Sequence, residues 1–232
     1  MKPLKVLSID MDFFQDVDIE TLVNCYPDGH DWAAPMLAAL IWSSHYSNPY
    51  QSERLRSVTC PEDLFNTLVD ILNNQDTSVP VLVSQSHLQI YNFIHEEMLV
   101  QERTTLDLVN IDMHHDMFTD VTDRVDCGNW VNAIMNDLPA QVTWISHPLS
   151  SELMDDKSGD GIEVIVNNFD NIKDKQFDAI FLCRSDMWYA PHLDSKFQEL
   201  VDLLVDRFEN IVVSERLTDR SGCTQTLNYE SL

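Results

Sequence analysis

The amino-acid sequence predicts an α/β fold in three layers, a mainly parallel β-sheet between two layers of helices. Three observations predict it. Short apolar runs rich in β-branched residues alternate along the chain with longer segments whose apolar residues recur at helical spacing. Several of these runs are apolar throughout, as strands buried on both faces must be. Two of them lead into clusters of Asp and His that a core would not accept and a third into a single His, and in open α/β sheets ligands bind at the carboxyl ends of strands.

The elements follow in order. Residues 4–9 (LKVLSI) form a first strand ending in Asp10-Met11-Asp12. Residues 15–60 read as an irregular excursion, a lid or pocket wall, with a turn at Asp28-Gly29 and a buried helix carrying Trp32, Met36, Leu37, Leu40 and Ile41. Within it, 43–50 with Asn48-Pro49 reads as a loop. Pro61 opens a helix to about Asn74, with Leu64, Leu68, Ile71 and Leu72 on its apolar face. A strand at 79–83 runs into Ser84-Gln85-Ser86-His87 and a helix over 87–100. The strand at 108–111 ends in Asp112-Met113-His114-His115-Asp116, a Thr- and Asp-rich loop follows over 117–126, and Cys127-Gly128-Asn129-Trp130 begins a helix through about Asp137. Further strands are expected at 141–146, 162–166, 178–183 and 211–213, with an amphipathic helix over 191–208 and a loose polar tail from Thr218. Residues 1–232 read as one domain.

Composition narrows the function classes. The 39 acidic against 14 basic residues give a formal charge of -25, which argues against nucleic acid or an anionic membrane as partner and fits either a cationic partner or acidity that only keeps the protein in solution. Five scattered cysteines without a Cys-x-x-Cys pair fit reduced thiols rather than a disulfide scaffold or zinc ribbon. With no signal-like or membrane-spanning run, a cytoplasmic location is expected.

The polar clusters carry the chemistry. Alternation along an extended chain turns Asp10 and Asp12 to one side, and likewise Asp112, His114 and Asp116. With His87 they make a set of oxygen and nitrogen donors without sulfur, suited to hard or borderline divalent ions and to manganese more than to structural zinc. Asp10 and Asp112 are placed to bridge two ions, and such a pair activates water for hydrolysis without a protein nucleophile. The alternative is ordinary capping, with His87 in a helix's first turn and the aspartates at neighbouring helix ends.

Ser8-Ile9-Asp10-Met11-Asp12, Ser86-His87 and Asp112-Met113-His114-His115-Asp116 resemble the metal motifs of the arginase/deacetylase superfamily. With Phe13-Phe14, Gly128-Asn129-Trp130 and Arg184-Ser185-Asp186 they look more closely like an atypical branch that includes the peptide arginases. The Asp-x-Asp strand precedes the Asp-x-His-x-Asp strand, the reverse of ordinary arginases, as if circularly permuted. The resemblance implies two Mn2+, one held by His87, Asp112, Asp116 and Asp10, the other by His114, Asp112, Asp10 and Asp12. It implies conversion of peptidyl arginine to ornithine and urea in an arginine-containing, ribosomally made precursor peptide.

In that reading Asp186 is the preferred carboxylate for the substrate guanidinium and Glu215 the second choice. Ordinary arginases carry Ser-Gly-Asn-x-His where this chain has Cys127-Gly128-Asn129-Trp130-Val131, so the proton shuttle is open among His115, His147 and His192. Asn129 either orients substrate backbone or begins its helix. Two other functions fit the motifs, a deacetylase-type amidohydrolase and a non-catalytic acidic metal-binding protein.

Overall fold

A computed structural model describes residues 2–27, 35–119, 124–154, 161–214 and 217–225. Within them the strands are β1 (Leu4–Asp10), β2 (Val81–Ser84), β3 (Leu106–Asp112), β4 (Ala140–Ser146), β5 (Ile162–Val166), β6 (Ala179–Cys183) and β7 (Ile211–Val213). They form one parallel sheet in the order β5-β4-β3-β1-β6-β2-β7. The central strands β1, β3 and β6 are the most buried, while β5 and β7 lie at the edges and keep Val166 and Val212 exposed.

Alternating side chains divide the core in two. Leu7, Ile9, Val109, Ile111, Ile180 and Leu182 face a layer that includes α4 (Glu62–Asn73) and α8 (Asp194–Arg207). Val6, Leu108, Val142 and Phe181 face α5 (Gln89–Val100) and α6 (Trp130–Asp137). The three-layer α/β architecture expected from the alternation of elements is therefore the one observed. On α4, Phe65, Leu68, Ile71 and Leu72 are buried, each worth about 1.5–3 kcal/mol against exposure. A single turn, α7 (Ser150–Leu153), follows β4.

The excursion after β1 is more regular than its sequence implies. It holds α1 (Ile19–Cys25), α2 (Pro35–Ser47) and α3 (Pro49–Arg56). The stretch 43–50 is not a loop: α2 runs to Ser47, Asn48 caps α3 by accepting from the Tyr50 and Gln51 amides at 3.0 and 3.3 Å, and Pro49 takes a first-turn position. Asn-Pro here is a helix start rather than a breaker. The tail is likewise held over Thr218–Gln225, where buried Arg220 forms an ion pair with Asp194 and donates to the Asp186 and Tyr189 carbonyls at 2.8 and 2.9 Å. Asp28-Gly29, Trp32 and Glu215 lie outside the described residues. Among the described residues no helix is long and apolar enough to cross a membrane.

The register sets up the site. Ile9 is level with Ile111, and both Asp10 and Ser84 are level with Cys183, so the carboxyl ends of β3, β1, β6 and β2 lie side by side.

Candidate metal centre

The six predicted ligands converge at that edge, by a different local route from strand alternation. Only Asp10 and Asp112 belong to strands. Asp12 sits in a 3-10 turn over Met11–Phe14, whose start Asp10 caps by accepting from the Asp12 amide at 3.0 Å. Asp116 lies in the loop after β3 with left-handed backbone, φ 51°. That conformation costs a non-glycine residue of order 1–3 kcal/mol, and it persists only where the surroundings impose it. Here they do: the Asp116 carbonyl accepts from the Val131 and Asn132 amides at 3.1 and 3.4 Å, closing the first turn of α6.

Around His87, one ring nitrogen meets three carboxylates. Nδ1 lies 3.1 Å from Asp10, 3.2 Å from Asp112 and 3.2 Å from Asp116. A single N–H cannot serve three acceptors, so the cluster is short of positive charge. Nε2 is 2.8 Å from Ser8 Oγ, and Phe181 stacks on the ring at 5.6 Å. Trp130 donates from Nε1 to Asp116 Oδ2 at 2.5 Å.

A second group surrounds His114. Its Nδ1 lies 2.8 Å from Asp12 Oδ2 and 3.6 Å from Asp112 Oδ1. Although the first contact is short, its geometry is not that of a hydrogen bond, and buried Asp12 Oδ2 has no hydrogen-bond partner. Two donors close together without a proton aligned between them suit one shared cation. Asp12 Oδ1 accepts from the Met113 amide at 3.2 Å, and the Trp144 indole donates to the Asp112 carbonyl at 2.9 Å.

Asp112 joins the two groups. Its Oδ2 faces His87 and its Oδ1 faces His114, and the atoms offered by Asp10, His87 and Asp112, and by Asp12, Asp112 and His114, lie within 4.8 Å of one another in each set. These groups could hold metal. The donors are carboxylate oxygen and imidazole nitrogen throughout, which fits hard or borderline divalent ions.

The protonation pattern follows from the crowding. Burial raises the Asp12 carboxyl well above its usual range, and the charges of Asp10 and Asp112 add to the effect. Burial together with Asp112 pushes Asp116 up to about 7. Burial also works against ionised Asp112, but the His114 and His87 imidazoles beside it outweigh that and hold Asp112 below the ordinary carboxylate range. His87 is buried and His114 largely so, which opposes protonation, yet the carboxylates around them raise both well above the ordinary value. Protons on the two histidines thus offset the carboxylates, and a metal ion binding there would have to displace them.

The remaining predicted residues do not join these groups. Arg184 forks onto Asp186, Nε to Oδ1 at 2.6 Å and Nη2 to Oδ2 at 3.1 Å, so the carboxylate expected to hold a substrate guanidinium already holds an internal one. Asn129 stands at the start of α6 and binds loop backbone, accepting from the Asp126 amide at 2.8 Å and donating to the Arg124 carbonyl at 2.9 Å. The buried His115 ring lies against Phe118 and Trp144, and its Nδ1 accepts from the Met117 amide at 2.9 Å. His147 meets the Gln15 carbonyl and the Leu149 amide, while His192 lies between the Tyr46 hydroxyl and the Val58 carbonyl. Both are lowered by burial.

Sequence reasoning missed the supports. Ser8, Trp130, Trp144 and Gln15 touch or hold ligand-bearing segments, and Trp188 packs on His114 with ring centroids 4.9 Å apart. Nothing in the sequence says where the indole N–H of Trp130 or Trp144 points. Comparisons of this chain with protein-family models, with curated proteins and with solved structures found no match.

Proposed function

We propose that this chain is a hydrolase working with two divalent metal ions, manganese first among them, that converts arginine within a peptide to ornithine and releases urea. One observation carries the reading: the two oxygens of Asp112 face two different histidine-carboxylate groups, as a carboxylate shared between two ions does. His87, Asp10, Asp112 and Asp116 would hold one ion, and His114, Asp12 and Asp112, with Asp10, the other. When bound, such a pair supplies a water activated at neutral pH and a Lewis acid beside the substrate.

The chain's own residues prepare that chemistry. Ser8 faces His87 Nε2, and accepting a hydrogen bond from Nε2–H leaves the Nδ1 lone pair for a ligand role. Trp130 fixes Asp116 against the same histidine. Among the six candidate ligands His114 keeps the most exposed side chain, 14% against 4% or less for Asp10, Asp12, His87, Asp112 and Asp116, so substrate approaches from the His114 side. A guanidinium is cationic and resonance-stabilised; the chain's charge of -25 favours its capture, and its low reactivity calls for strongly activated water.

The test combines metal analysis of the purified protein with mass spectrometry of a synthetic peptide bearing an internal arginine. Each conversion removes CH₂N₂, a loss of about 42 Da, and releases one urea. Unchanged peptide mass across arginine-containing sequences with metal-loaded protein removes the proposal.

A further inference from the structure

We infer that Trp188 is the specificity-determining residue of this site, its indole face being the platform on which a planar cationic group lies as it approaches the His114 side. The inference rests on the proposed reaction for the identity of the cation and on the structure for the platform.

Trp188 differs from the other described tryptophans. Trp42, Trp130 and Trp144 are buried, and each donates its indole N–H, to the Asp186 carbonyl, Asp116 and the Asp112 carbonyl respectively. Trp188 is half-buried in a run, Arg184–Ala190, whose other members are all buried, and its indole N–H makes no hydrogen bond among the described residues. Its ring is tilted 58° to that of His114, the most exposed candidate ligand.

The loop holding it is built to stay in place. Ser185 has left-handed backbone, φ 57°, and its carbonyl accepts from the Trp188 and Tyr189 amides at 2.8 and 2.9 Å. The Asp186 carbonyl takes bonds from Trp42 and Arg220, and the Trp188 carbonyl accepts from Gln15 Nε2 at 2.8 Å. Gln15 also donates to the Asp12 carbonyl at 3.2 Å, so one buried amide ties the metal-side turn to the tryptophan loop. A left-handed Ser185 and the bonds held by the Ser185, Asp186 and Trp188 carbonyls around one half-buried aromatic mark a position kept rigid for contact with a ligand.

The chemistry of that ligand follows. Asp186 is forked onto Arg184, and the ring beside His114 is Trp188, centroids 4.9 Å apart, so in this inference a cation arriving at His114 stacks on that indole. Guanidinium, planar and weakly hydrated, stacks on indole better than ammonium does. The unpaired indole N–H remains for a carbonyl of the peptide.

The experiment titrates metal-loaded protein with N-acetyl-arginine amide and its neutral isostere N-acetyl-citrulline amide, reading calorimetric affinity and tryptophan emission. In wild type the arginine probe binds more tightly and quenches emission. Trp188→Leu loses the quenching and weakens the arginine probe about fivefold to tenfold, while metal content stays unchanged. Trp188→Phe, which keeps an aromatic face, falls between the two, and it decides the matter should the leucine variant not fold. Equal affinity in wild type and variant, or a fall in metal content in the variant, overturns the inference, the latter because Trp188 then merely props His114. Arginine binding that depends on Trp188 without urea release overturns the proposed reaction and leaves the platform standing; urea release with unchanged KM in the variants does the reverse.

Discussion

Replacing Trp130 with phenylalanine isolates one bond at the candidate metal centre while keeping the aromatic bulk. The indole donates to Asp116 Oδ2 at 2.5 Å in a fully buried setting, and Asp116 has in turn His87 Nδ1 at 3.2 Å. A hydrogen bond to a charged group contributes about 1.5–3 kcal/mol, so its loss weakens metal binding at the His87 group about tenfold to a hundredfold. The cost falls mainly on the metal-bound form. Without metal, Asp116 titrates at about 7, and a protonated carboxyl can do without the indole more cheaply. Calorimetric titration of chelator-stripped protein with Mn2+ should show one of two binding steps weakened and the His114 step near its wild-type value. A folded Trp130→Phe protein that binds both ions as wild type does would refute the placement of Asp116 in the ligand set.

Three further outcomes are expected. Asp112→Asn, which removes charge from both groups, should reduce bound metal from about two equivalents to well under one, whereas Asp12→Asn should leave about one; elemental analysis of dialysed protein distinguishes them. Asp186→Asn leaves the buried Arg184 without its forked carboxylate and should destabilise the fold by about 3–5 kcal/mol in urea denaturation. Unchanged stability together with a raised KM for peptidyl arginine would return Asp186 to the substrate-gripping role. For pH, burial lowers His192, so its neutral ring stabilises the fold above the ordinary histidine value of about 6.5 and that contribution is lost as pH falls through the lowered value. The stability of metal-loaded wild type should therefore drop more steeply from pH 7.5 to 5 than that of His192→Gln, by denaturation at each pH; parallel profiles refute it.

Much of the fold was legible because burial on both faces leaves a direct mark on composition. LKVLSID, LDLVNID and AIFLC admit few alternatives to central strands, and β1, β3 and β6 occupy the middle of the sheet. The region 15–60 was harder. Helix α2 carries exposed Met36, Leu37 and Leu40 beside buried Trp42 and Tyr46, so its apolar residues mark no single face, and Asn48-Pro49 resembles a turn until the cap geometry is seen. At the site, the identity of the six candidate ligands was readable, but their arrangement was not. Asp12 and Asp116 reach their places through a 3-10 turn and a left-handed residue, which strand periodicity does not describe.

What the sequence determined by itself was the supply of chemistry: buried parallel strands, and oxygen and nitrogen donors stationed where those strands end. Tertiary structure alone decided which groups meet. Contacts such as Ser8 with His87, Trp130 with Asp116 and Arg184 with Asp186 depend on side-chain direction and loop conformation. Pattern along a chain records whether a residue is buried, since solvent exclusion acts on each position separately. The partner of a buried polar atom is fixed jointly by all the elements packed around it, and no local stretch contains that information.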